Sequence, residues 1–451
     1  MGSRFMKCVA IIVGLIAVVL TVSGFARESL IFAAGGFWAL LLVLIPPSLT
    51  KQQNWFSIWS FVILTVGIGM TARGIFISFD LPNHDEIDRL YLLGHAVDFF
   101  VKPLVILLLG LGMMTAGYLS VSARRVKPKE GEWDQKKVVG MGVIVLIISG
   151  GCALLYVFLT GGFSSNSISA KRTPIPGLDL SGQNFKSYGI LRHLSSLAIF
   201  AHLIVLTLAF KTRNRIHFAL AFALFLVACV QPFYASVRTA VAANFIFSAA
   251  VIYFCGGRVS RRWLVFSFAG IAVMVAVMTA LRPGIADQNV LESIVLNRNQ
   301  IELPKTAHII NAVPETLDFQ YGKTLTRWLA APIPREVWPD KPVIHLGPII
   351  GNRIYGQRVA GVPPGLIAEL WWNFGWFGIF PGAFVFGGML RWLENRFGLT
   401  GNPSPAEVVI FIAGPMLIGF EAVGSSIGSG VFKSVLGVVV IAVLLRFVSR
   451  K

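Results

Sequence analysis

Residues 211–262 read KTRNRIHFALAFALFLVACVQPFYASVRTAVAANFIFSAAVIYFCGGRVSRR. Two apolar runs, 216–235 and 238–256, stand between two basic clusters, KTRNR at 211–215 and GGRVSRR at 256–262. Each run has the roughly 18 to 25 residues that a helix needs to cross the hydrocarbon core of a bilayer. Lipid offers no water to an open backbone, so a run of this kind closes its hydrogen bonds as an α-helix. Basic residues in short loops stay on the cytoplasmic side. The stretch therefore reads as a hairpin that leaves the cytoplasm and returns to it, with Arg238 at the turn on the far side. A charge there is costly if it faces lipid, so it is expected to face the bundle interior or a wet cavity.

The pattern extends along the whole chain. Of its 451 residues 55% are hydrophobic and 13% are charged, where an average soluble domain has about 25% charged. Further runs fall at 6–26, 29–50, 55–79, 93–120, 138–160, 191–210, 263–282, 365–389, 406–424 and 429–447. The expected fold is thus an all-α polytopic membrane protein of about twelve transmembrane helices, one integral unit over 1–451. The first run follows Arg4 and Lys7 like a signal peptide, but it is long and a second run follows at once, so it reads as a span.

Orientation follows from the basic loops. Arg4, Lys7, Lys51, the segment ARRVKPKEGEWDQKK, the two clusters above, Arg391, Arg396 and the closing RFVSRK hold 20 of the 39 Lys and Arg residues. Alternation puts them all on one side with both termini, and that side is the cytoplasm. In a membrane protein the formal charge of +18 reads first as loops facing anionic lipid, with nucleic acid a remote second.

Two long loops lie on the opposite side, about 161–190 and about 283–364. Both carry more cations than an outer loop should. Counted over 161–192 the first has Lys171, Arg172, Lys186 and Arg192 against Asp179, and over 282–361 the second has nine Lys and Arg against seven acids. Long loops escape the positive-inside bias, so a solvated surface is one reading. The other is an anionic ligand at the membrane surface, such as a lipid diphosphate held by bidentate, charge-assisted hydrogen bonds. Within the larger loop, 290–310 and 322–334 mix apolar and basic residues at near-helical spacing. They read as short amphipathic helices at the interface anchored by Trp328 and Trp338, or else as a small folded cap. Pro332, Pro334, Pro339 and Pro342 forbid a continuous helix through APIPREVWPDKPVIHLG at 331–347 and fix Arg335 and Lys341 in turns.

Other candidates are fewer. Glu369 and Asn373 lie four apart, hence on one helix face; Glu369 is a candidate general base or a structural partner for Arg353 or Arg358. His345 titrates near neutrality when unperturbed and is the alternative base. Glu421 lies inside an apolar run and needs a partner. The cysteines Cys8, Cys152, Cys229 and Cys255 have no metal or redox spacing and read as small hydrophobes. There is no Walker A loop and no HExxH, so neither ATP-driven transport nor zincin-type hydrolase chemistry has a sequence basis.

The order PETLDFQYGKTL, PIPREVWPDKP, a stretch bearing Gly and Arg, and PPGLIAELWWNFGWFG resembles the O-antigen polymerase (Wzy-type) family of oligosaccharide repeat-unit polymerases. The likeness is densest over 314–380, and the SVRTA turn is similar to an arginine-bearing turn in that family. The resemblance implies a type C glycosyltransferase-like fold in the bacterial inner membrane, with a large, partly helical periplasmic loop. It implies polymerisation of undecaprenyl-pyrophosphate-linked oligosaccharides into a surface polysaccharide at the periplasmic face, with the lipid pyrophosphate leaving. It implies no cofactor and no metal, and a flippase and a chain-length regulator as possible partners. On this reading Arg238, Arg282, Arg335, Lys341, Arg353 and Arg358 bind pyrophosphate and sugar, and Glu369, His345 and Arg335 are the catalytic candidates. An O-antigen ligase-type transferase shares the same logic, and a lipid-linked oligosaccharide flippase is the rival of another class.

Overall fold

The computed structural model describes residues 3–24, 28–50, 56–79, 98–122, 133–159, 189–234, 237–256, 269–270, 273, 301–333, 337–338, 340, 342–355, 362–399 and 403–449. These residues are almost entirely helical, with no strand among them. Among the described residues eight helices are long and apolar enough to cross a membrane, where the hydropathy pattern predicts twelve for the whole chain. They are α1 (Phe5–Gly24 within Ser3–Gly24), α2 (Leu30–Leu49), α3 (Ile58–Ser78), α4 (Phe99–Ser120 within Asp98–Ser120), α5 (Gln135–Leu159), α6 (Ile190–Thr212 within Gly189–Thr212), α7 (Arg215–Tyr234) and, last in the chain, Ile427–Val448.

The other four predicted spans have separate outcomes. The run at 238–256 becomes α8 (Arg238–Cys255), whose apolar part is shorter than a full crossing. Most of the run at 263–282 lies outside the described residues. The run at 365–389 is a helix broken at Gly375, and that at 406–424 one broken at Gly414. Gly375 has φ +55, a conformation other residues rarely take, and Pro415 cannot continue the hydrogen-bond ladder after Gly414. Hydropathy averages across such breaks and does not see them.

Between α8 and the last helix the chain forms α9 (Leu303–Ala312), α10 (Lys323–Thr326), α11 (Leu346–Arg353), α12 (Leu366–Phe374), α13 (Ala383–Phe397), α14 (Pro405–Ala413), α15 (Pro415–Glu421) and α16 (Ile427–Val448). A 3-10 turn, Arg327–Ala330, follows α10, and a π-turn, Gly378–Gly382, precedes α13. Ser404 and Glu407 form a reciprocal capping box that starts α14. Helices α4 and α13 approach backbone to backbone: a Cβ at Gly117 would collide with the Phe384 carbonyl and one at Gly387 with that of Met114. Small residues at such crossings let membrane helices approach closely, as polar glue does elsewhere.

The long helices carry apolar side chains outward as well as inward. Ile11, Leu15 and Val19 of α1, Ile147 and Phe158 of α5, and Val439 and Val443 of α16 are all exposed, the surface expected of helices solvated by lipid. One end of the bundle is closed by Tyr118, whose hydroxyl donates to Glu394 at 2.7 Å, and by Asp134, whose amide donates to the Val448 carbonyl. The opposite end carries residues 301–374. There α9 packs on α4 and α12 with residues 303–310 all buried, so this helix is not the interfacial helix one sequence reading offers. Trp328 is buried as well and does not anchor in lipid, while Trp338 is 41% exposed. These residues form the folded cap of the alternative reading.

Candidate functional site

The cap is fastened to the bundle by a sealed polar core. Glu369, in the first turn of α12, is fully enclosed. One carboxylate oxygen accepts from Thr324 Oγ1 at 2.9 Å and Ser426 Oγ at 3.3 Å; the other accepts from the Ile427 amide at 2.7 Å. Ile427 opens α16, so a carboxylate meets the positive end of that helix and satisfies one of its orphan donors. Asn373, one turn later, donates to Thr324 Oγ1 and to the Glu369 carbonyl, and accepts from the Gly322 amide. Segment 318–324 is thereby laid along α12, with the Trp372 indole also donating to the Asp318 carbonyl. Every donor on Glu369 comes from the protein, and no face of it is open to a sugar hydroxyl. These contacts favour a bracing role over that of general base, and the partners differ from the predicted Arg353 and Arg358.

A second sealed contact joins the cap to α3. Arg73 Nε lies 2.7 Å from Glu302 Oε2, with both side chains only 1% exposed. It is a charge pair rather than a linear hydrogen bond. Lys305, one turn along α9 from Glu302, is also fully buried.

The polar groups on the other side of α10 and α16 are open. His345 stands at the N-cap of α11 and is exposed. Its ring meets Trp328 edge-on at 5.1 Å between centroids, and Trp328 lies 5.8 Å from Phe432 of α16. Gly428 permits this contact, because a Cβ there would sit 2.5 Å from Trp328 Cδ1. The neighbour of Phe432, Lys433, pairs with Glu421 of α15 at 2.8 Å, with exposures of 44% and 19%. Enclosure of the ring, then the cations Lys433 and Arg192, push the His345 pKa below the usual histidine value, and Glu421 opposes them. The residue keeps an open face, so water offsets part of the enclosure; in either case the ring is neutral at pH 7. Arg192, near the start of α6, is exposed too. The indole Nε1 of Trp328 is buried and has no hydrogen-bond partner among the described residues.

The predicted site residues therefore separate. His345 lies in the open cluster and Glu369 in the sealed core. Arg353 ends α11, is exposed and makes no ion pair with a described residue. Arg238 begins α8, and its side chain is outside what is described. Arg282, Arg335, Lys341 and Arg358 lie outside the described residues altogether. Two charges that sequence reasoning passed over, Arg73 and Lys433, prove central to the two polar regions. Each had a visible signal: a lone cation inside an otherwise apolar run. Glu421 finds in Lys433 the partner its position demanded.

Among the described residues no group of His, Cys, Asp or Glu side chains gathers where it could hold a metal ion. A cavity of about 280 Å³ opens elsewhere, lined by Thr207, Lys211, Phe254, Cys255, Pro403 and Pro405, and brings together no catalytic constellation. Comparison with protein-family models, curated proteins and solved structures finds no match for the chain.

Proposed function

We propose that the chain is a membrane glycosyltransferase of the polysaccharide-polymerase kind, acting on oligosaccharides linked to undecaprenyl diphosphate. In this reading twelve helices cross the bacterial inner membrane, both termini and the basic loops are cytoplasmic, and the cap of residues 301–374 faces the periplasm. The observation that carries the reading is the open cluster at the cap: a neutral, accessible His345 with the cations Lys433 and Arg192 close by. A neutral imidazole is competent to take a proton from an acceptor sugar hydroxyl. The oxygen so freed attacks the anomeric carbon of the donor. The bond from that carbon to the diphosphate oxygen breaks, and its electron pair leaves on the diphosphate. Preorganised cations stabilise the charge that develops there more strongly at a partly dehydrated site than in water. His345 ends the step protonated and returns its proton to water.

The test is incubation of the purified protein with a lipid-diphosphate-linked repeat unit, followed by gel separation of the products. A ladder of chain lengths is expected, and His345→Ala is expected to remove it while the protein remains folded. A single transfer to a different acceptor, with no ladder, assigns the ligase-type reaction instead. Donor that remains intact under all conditions overturns the reading.

A further inference from the structure

We propose that Lys433 is a binding residue for a phosphate-bearing anion at the rim of the bundle, and that Glu421 is its resting counter-ion, displaced when that anion arrives. The inference rests on the reading of a diphosphate-linked donor and names a residue and an exchange that the reading does not contain.

Lys433 lies six residues into α16, about 9 Å along the axis from its first residue. Its neighbours Val431, Phe432, Ser434, Val435 and Leu436 are those of an ordinary membrane helix. An ammonium at that depth is costly unless it is paired or faces a wet cavity, and intramembrane charges mark ligand paths more often than architecture. Glu421 supplies the pairing through one 2.8 Å hydrogen bond. The pair is nonetheless open, with 44% of the lysine side chain accessible. Exposed pairs of this kind hold by only about 0–1 kcal/mol, so a stronger acceptor displaces the carboxylate readily. A phosphate is such an acceptor, since it brings more charge and three oxygens where the carboxylate offers one contact.

The surroundings favour that exchange. The contacts from Phe432 to Trp328 and from Trp328 to His345 fix α16 against the cap, and Lys433 lies within electrostatic reach of the His345 ring. Lys433 and Arg192 are opposed by the single carboxylate Glu421, which leaves the described cluster positive and short of one anion.

The test uses the full chain in lipid nanodiscs and undecaprenyl diphosphate bearing no sugar, with bound lipid counted by native mass spectrometry. Lys433→Met is expected to weaken binding by about 10- to 100-fold, the worth of a hydrogen bond to a charged group. Glu421→Gln removes the competitor and is expected to tighten binding roughly 2- to 5-fold, in the range of an exposed ion pair. Inorganic pyrophosphate, the free source of the same chemistry, is expected to compete only at far higher concentration. The double variant Lys433→Met with Glu421→Leu leaves no unpaired charge, and it is expected to fold like the parent and still bind weakly. Lys433→Met binding as tightly as the parent overturns the inference and leaves the functional reading standing. Glu421→Gln weakening binding as much as Lys433→Met also overturns it, because the pair is then architecture. A parent protein that binds no diphosphate lipid removes the functional reading along with it.

Discussion

Two ion pairs sit at comparable depth in this bundle and differ in nearly everything else. Arg73 is five residues from the end of α3 and Lys433 six residues from the start of α16; each finds a glutamate on a neighbouring segment. The Arg73–Glu302 pair is sealed, with each side chain 1% exposed, whereas Lys433 is 44% exposed and Glu421 19%. A sealed pair has lost its water and can survive only intact. An open pair is accessible and, where water reaches it, is free to exchange partners. The same division separates Glu369, enclosed by donors from three segments, from His345, which keeps an accessible face. On the proposed reading, burial more than residue type would decide whether a charge here fastens the cap or serves a ligand.

The largest expected effect breaks the sealed pair. Arg73→Ala leaves Glu302 charged and buried, and removing one partner of a buried pair destabilises by about 3–5 kcal/mol. Thermal unfolding of the detergent-solubilised protein is expected to shift far down, or the protein to disappear from the membrane fraction. Replacing both partners, Arg73→Met with Glu302→Leu, is expected to recover most of the loss. Lys433→Ala, in contrast, is expected to change stability by no more than about 1 kcal/mol. Equal losses from Arg73→Ala and Lys433→Ala would erase the distinction between the two regions.

Glu369 comes next. Glu369→Ala strands the Ile427 amide, at about 1–3 kcal/mol for a buried donor without a partner, while the Thr324 and Ser426 hydroxyls are free to rotate to other acceptors. Glu369→Gln keeps the shape and one acceptor oxygen and is expected to lose less. If Glu369 only braces, turnover and melting temperature fall together across the two variants. Turnover abolished in Glu369→Gln at an unchanged melting temperature would restore Glu369 as the general base.

How far the sequence discloses these two regions can be traced residue by residue. Hydropathy locates the unbroken helices, such as α5, α7 and α16, within a few residues of their ends, because lipid imposes one solution on a long apolar run. It misses the breaks at Gly375 and Gly414, because an average over a window carries no φ or ψ. The Glu369–Asn373 face is visible as an i, i+4 pair, but the donors from Ser426 and Ile427 are more than fifty residues away. No local rule connects them. Counting charge by loops directed attention to the prolines and arginines of 331–347 and away from single cations inside helices. Arg73 and Lys433 were readable by asking which charges lipid would expel.

The open region should respond to pH where the sealed one does not. In the proposed reaction neutral His345 is the base; burial first, then Lys433 and Arg192, hold its pKa below the ordinary value, with Glu421 opposing. Turnover of the parent is therefore expected to persist as pH falls through the usual histidine range and to be lost only below it. Lys433→Met removes one of the two cations, so the pKa rises and the acid limb of kcat/KM moves to higher pH. Arg73→Met with Glu302→Leu is expected to leave that limb in place. A limb that stays fixed in Lys433→Met separates the lysine from the histidine.

The smallest effect belongs to Arg353. It ends α11, where a cation is favoured by the helix dipole by about 0.3–1 kcal/mol, less in salt. It is exposed and pairs with no described carboxylate. Arg353→Gln is thus expected to alter the melting temperature hardly at all, whichever role the arginine has, and stability cannot separate the two roles. Kinetics can. A cation that only closes a helix leaves KM for the lipid-linked donor unchanged at every ionic strength. A cation that gathers an anionic donor toward His345 loses its advantage as salt screens it, with a Debye length of about 10 Å at 0.1 M. The parent and Arg353→Gln are then expected to differ in KM by roughly 2- to 5-fold at low salt, as one exposed ion pair allows, and to converge as salt rises. Curves that coincide from low salt onward would place Arg353 with the sealed, structural charges despite its open position, and exposure alone would no longer sort the charges of this bundle.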